Sequence, residues 1–152
     1  MANIIEIKPK VGLGDIKFFT EMSEVANYLG NAEEVEKIEE GEEYKTVIWH
    51  YWEKGYSLFF DAKFNNIFTC VEIDNQETIL WGKKIFDLKE HEIIDLCITK
   101  GYMNMDTEEQ TWGEKRISFD DALIDFYFED NILVSINYGV FVEHENIIIF
   151  QN

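Results

Sequence analysis

Three residue sets in this chain have the types that chemistry needs. His50, His91 and His144 are the three histidines, Cys70 and Cys97 the two cysteines, and Asp120-Asp121 is a paired carboxylate. A metal site needs its ligands at short repeated spacings, as in His-x-x-x-His or Cys-x-x-Cys, and neither occurs. The Gly12-x-Gly14 pair is not followed by Gly-Lys-Ser/Thr, so no phosphate-cradling loop is expected, and no Gly-x-Ser-x-Gly elbow is present. Asp120 and Asp121 fall between two strand patterns. There a solvated turn is the simpler reading than a general acid and base. Glu24, His91 and Glu92 sit on predicted helices and are expected to face water. The sequence therefore predicts no enzyme, no metal and no cofactor.

A binding surface is the other chemistry on offer. Seven glutamates fall between Glu33 and Glu43, with Lys37 alone among them, and the chain then turns aromatic at Trp49, Tyr51 and Trp52. Exposed aromatics inside a charged rim are how interface anchors are built. Glu36, Glu39, Glu40, Glu42 and Glu43 are read as a steering rim. Trp49 and Trp52 are read as anchors, with Asp120 and Asp121 as a second acidic patch.

The composition agrees. The chain has 152 residues, 13 basic against 31 acidic, and a net charge of −18. Solubility alone needs a net charge of about 2–8. Such a surface repels nucleic acid and anionic membranes and attracts a basic partner. Residues 1–152 are expected to form one domain, since 46% of them are hydrophobic and no Pro/Gly/Ser-rich linker interrupts them. The start, MANIIEIKPK, lacks the charged and apolar regions of a signal peptide, and no apolar run is long enough for a membrane span. A cytoplasmic protein with free, buried cysteines is the expectation. The oligomeric state is left open.

The elements that must position these residues follow an α+β pattern. Short extended segments are predicted at Asn3–Lys8 and Ile16–Phe19, around a glycine turn at Val11–Asp15. Thr20 is placed to cap a helix over Glu21–Leu29, with Met22, Val25, Ala26 and Leu29 as its apolar stripe. Strands are predicted at Lys45–Glu53, Tyr56–Asp61 and Ile67–Asp74. Thr78–Trp81 is extended. Asp87 is placed to cap a second helix over Leu88–Lys100, with Glu90 in its capping box. Strands follow near Lys115–Phe119, Ala122–Phe128 and Ile132–Tyr138. The acidic block at Glu33–Glu43, with a turn at "EGE" around Gly41, is read as a solvated hairpin or as half of a binding surface, and the acidic stretch with Asp106, Glu108 and Glu109 is read as a loop.

This order occurs twice. "NIFTCVEI" (Asn66–Ile73) aligns with "NILVSINY" (Asn131–Tyr138), each after an aromatic strand. The prediction is two tandem helix-plus-antiparallel-meander repeats, about 10–75 and 76–140, with a C-terminal hairpin at 140–150. Joined edge to edge they would form one twisted antiparallel sheet, with two helices packed on one face and the other face open.

The stretch "KVGLGDIKFFTEMSEVANYLGNAEE" combines a Gly-x-Gly turn, an Ile-x-Phe strand, a helix and a terminal Leu-Gly, and "IWHYWEKGYSLFFD" follows it. It resembles the small acidic bacterial immunity proteins of polymorphic toxins, including those of contact-dependent growth inhibition. Asn31-Ala32 stands where that family commonly has a proline, and Phe18-Phe19 where it has Phe-Gly. The resemblance implies an antitoxin that binds and occludes a cognate toxin domain, often a basic nuclease. It assigns no site residues. The alternative is a non-catalytic module that binds a small ligand or peptide on the open sheet face. A concave apolar pocket lined by the aromatics would mark it.

Overall fold

The structure is a computed structural model that describes residues 5–41 and 43–141, with Glu40, Glu43 and Tyr44 described by their backbone alone. The chain runs through β1 (Glu6–Lys8), β2 (Gly12–Leu13), β3 (Ile16–Lys17), α1 (Met22–Leu29), β4 (Glu34–Glu40), β5 (Glu43–Tyr51), β6 (Tyr56–Asp61) and β7 (Ile67–Ile73). It continues through β8 (Ile79–Leu80), β9 (Lys83–Lys84), a 3-10 turn (Ile85–Asp87), α2 (Glu90–Thr99), β10 (Met105–Glu109), β11 (Glu114–Phe119), β12 (Ile124–Glu129) and β13 (Ile132–Gly139). The α+β class is as expected. An eight-stranded antiparallel sheet has the order β10-β11-β12-β13-β7-β6-β5-β4. A small five-stranded sheet, β3-β2-β1-β8-β9, adds a parallel β1·β8 pairing that the sequence reading lacked. These strands are too short for periodicity to register. The predicted hairpin at 140–150 lies outside the described residues except for Val140 and Phe141, which are not in a strand.

Two acidic stretches are strands, and the second of them was expected as a loop. Glu34–Glu40 is β4 and Met105–Glu109 is β10, and they form the two edges of the large sheet. Strand patterning is sought as alternation of apolar and polar residues, because one face is normally buried. An edge strand escapes that requirement. Its outer flank meets water, and like charges along it discourage pairing with another chain. All of β10 is exposed, and so are the described side chains of β4.

Both helix starts also moved. Phe19 donates its N–H to the Phe68 carbonyl at 2.7 Å, and Phe68 donates back to Thr20 at 2.9 Å, so Thr20 is tied to β7. The helix begins two residues later, with Glu21 at the N-cap. At the second helix Ile85–Asp87 forms the 3-10 turn first. The side chain of Glu92, not Glu90, accepts the Lys89 N–H at 2.8 Å. Glu90 instead binds Lys115 Nζ at 2.9 Å, fixing the start of α2 to β11.

Strand alternation decides the core. Val47 and Tyr51 of β5, Leu58 and Phe60 of β6, and Val71 and Ile73 of β7 point to one buried cluster. Phe119, Phe126, Ile136 and Tyr138 of the second meander point to the same cluster, and Val25, Ile93 and Cys97 of the helices belong to it. Tyr51 donates its hydroxyl to Gly30 at 2.9 Å and Tyr138 donates to Gly12 at 3.0 Å. Both hydroxyls are thus satisfied on neighbouring backbone.

The two meanders share a pairing register. In the first, Leu58 opposes Val71 and Phe59 opposes Cys70, and a bulge follows before Phe60 opposes Phe68. In the second, Phe126 opposes Ile136 and Tyr127 opposes Ser135, and a bulge follows before Phe128 opposes Leu133. At the outer edges Glu34 pairs His50 and Glu36 pairs Ile48, while Asp106 pairs Ser118 and Glu108 pairs Arg116. Asn66 (φ 55°) and Asn131 (φ 69°) enter β7 and β13 in the left-handed region that asparagine tolerates. The meanders meet where β7 pairs β13, with Glu72 opposite Asn137. Gly139 lies against Cys70 there. A Cβ on it would run into the Thr69 carbonyl oxygen and stand 3.1 Å from the Cys70 Cα.

Candidate functional site

The strand residues of opposite alternation form the other face of the large sheet, and they are mostly polar. In the first meander this face carries Glu34 and Glu36 from β4, Ile48 and His50 from β5, Ser57 and Phe59 from β6, and Glu72 from β7. In the second it carries Asp106 and Glu108, then Arg116 and Ser118, then Asp125 and Tyr127. Among the described strand residues, Arg116 is the one full cation on this face. It is also the only arginine in the chain.

Arg116 is held from several sides. Its Nη2 donates to Asp106 Oδ2 at 3.1 Å and to Glu108 Oε2 at 3.2 Å, and Nη1 donates to the Ser118 hydroxyl. The hydrogen bond to Asp106, then that to Glu108 and the charge of Asp125, push its pKa above the ordinary arginine value against the cost of burial. The outer edge of the second meander therefore neutralises part of its own acid.

His50 is the corresponding centre of the first meander. The Ser57 hydroxyl lies 2.7 Å from its Nδ1, and Glu36 Oε1 lies 3.0 Å from its Nε2. Trp52 stacks on the imidazole, with centroids 4.2 Å apart and planes at 8°. Serine, histidine and carboxylate in a chain have the connectivity of an activated nucleophile. The setting opposes that chemistry. Ser57 is buried mid-strand, with its backbone paired to His50 on one side and Glu72 on the other. Acyl transfer develops negative charge and needs donors aimed at it. Here carboxylates surround the place where that charge would form. The same field favours a positive guest.

Two open depressions mark this face. One, of about 470 Å³, lies beside Arg116, and Glu108, Glu114, Tyr127, Glu129 and Ser135 are among its walls. The other, of about 350 Å³, is bordered by Cys70, Asp120, Asp125, Asn137 and Phe141. Burial pushes the Cys70 thiol up to about 12, so it stays protonated and is no nucleophile at neutral pH. Cys70 and Cys97 are both free thiols. Among the described residues, no group of three or more His, Cys, Asp or Glu side chains converges to hold a metal. No described helix is long and apolar enough to cross a membrane.

The residues singled out by sequence are distributed unevenly. Glu36 lies on the charged face. Glu39 is exposed near the end of β4, after a register shift that follows Ile38. Glu40 and Glu43 stand in strands, and Glu42 lies outside the described residues. Trp49 faces the core side, half-buried against Phe60 at 4.7 Å. Trp52 is 57% exposed, so the two tryptophans divide between core and surface. Asp120 is exposed in the β11–β12 turn. Asp121 is half-buried, and its Oδ2 accepts the N–H of Met103 at 2.9 Å and of Asn104 at 3.4 Å. Asp121 therefore ties the turn after α2 to this loop. Sequence reasoning passed over Ser57, Glu72 and Arg116 as parts of a site. Alternation puts Ser57 and Glu72 on the polar side of their strands. What brings each beside its neighbours is cross-strand register, which has no local signal.

No protein-family model matches the chain, and no curated protein matches it. Among solved structures, an extracellular protein containing an SCP domain, from Bacillus anthracis str. Ames, aligns with a TM-score of 0.47 and 9% sequence identity. The match covers 80% of this chain and 43% of that protein, so the chain spans less than half of its length. A likeness of that depth carries no functional argument.

Proposed function

We propose that this protein is an immunity protein: a cytoplasmic antitoxin that binds a cognate toxin domain and occludes it through an acidic surface. The observation that carries the reading is the charged face of the large sheet, which carries Glu34, Glu36, Glu72, Asp125, Asp106 and Glu108 and, among the described strand residues, Arg116 as its one full cation. A nuclease active site is positive because it holds phosphates, so an acidic sheet face complements it and speeds encounter. The net charge of −18 and the resemblance over most of residues 10–73, fainter in the second half, support the same class. In this reading no catalytic step, cofactor or metal is needed.

The finer architecture belongs to the proposal too. We read the two meanders as copies of one helix-plus-meander unit, supported by the shared register, the shared bulge and the two asparagine turns. Both helices would cover the core side and leave the charged side free. The alternative, a module for a small ligand or peptide, has less support. The depression beside Arg116 has the volume for a ligand, but its walls are charged where a small-molecule site is mostly apolar.

The test uses the product of the adjacent upstream gene. Its C-terminal domain is expressed alone and together with this protein. Co-expression should relieve growth arrest, and the purified pair should associate at least about tenfold more slowly in 0.5 M salt than in 50 mM salt. Neither relief nor a complex would overturn the reading.

A further inference from the structure

We draw no further inference here: the strongest candidate, the depression bordered by Cys70, Asp120, Asp125, Asn137 and Phe141 where the two meanders meet, joins acidic walls to a half-buried Asn137 whose Oδ1 has no hydrogen-bond partner among the described residues, and nothing in the structure shows what covers or fills it.

Discussion

Glu36 and Glu108 occupy matching positions at opposite edges of one sheet, and their surroundings differ. Glu108 shares a guanidinium with Asp106. Glu36 has a hydrogen bond to His50 and an isoleucine where the guanidinium would be. Backbone pairing is nearly the same in the two meanders, so the difference comes from side chains at a few register positions. One scaffold thus supports an edge closed on Arg116 and an edge with Ile48 at the matching position.

The largest test of that comparison asks whether the two meanders are energetically one. Leu58 and Phe126 hold equivalent places in the shared core. Leu58→Ala should cost about 2–5 kcal/mol and Phe126→Ala about 3–5 kcal/mol. Both should shift a single denaturant transition. Two separated transitions in either variant would show that the meanders melt independently. Next comes the junction. Gly139→Ala should cost about 1–3 kcal/mol by forcing β13 away from β7, measured in the same unfolding experiment. An unchanged midpoint would mean that the strands separate freely there.

Alkali should weaken both meanders together. Burial first of all pushes Tyr51 and Tyr56 up to about 12, and likewise Cys70 and Cys97. The folded chain keeps these protons where the unfolded chain, with thiols near 9 and phenols near 10, has lost them. Stability is then fully present below about pH 8.5 and falls as pH rises toward 12. A thermal midpoint that stays level from pH 8.5 to 11.5 would contradict the burial of these groups. The smallest effect concerns the edges. Arg116→Ala should destabilise by up to about 1 kcal/mol, because Asp106 and Glu108 lose their counter-charge, while Glu36→Gln should change stability by less than about 0.5 kcal/mol. Equal effects would erase the distinction between the edges.

Much of the fold was readable. The strand from Tyr56 to Asp61 is where alternation put it, and the asparagine turns at Asn66 and Asn131 open β7 and β13 as expected. Val25 and Cys97 are buried on their helices, whereas Ile98 of the second helix is exposed. The edge strand β10 was missed because charge on both faces is the pattern of a loop as well as of an edge. Of the residues read as a binding surface, Glu36 and Trp52 are exposed, while Trp49 shared their pattern and turned inward. Its neighbour Phe60 comes from another strand, and no local pattern encodes that contact.

The seven glutamates between Glu33 and Glu43 and the aromatic run after them are facts of sequence alone. So are the net charge, the lone arginine and the paired asparagine turns. Tertiary structure decided which carboxylates have a counter-charge. Arg116 reaches Asp106 and Glu108 because β10 and β11 pair in one particular register, and Glu36 faces Ile48 because β4 and β5 pair in the same one. Register is set by the buried face of each strand, where a one-residue slip would expose the core. The charged face follows from that choice, so its pattern of paired and unpaired acid appears only once the core has packed.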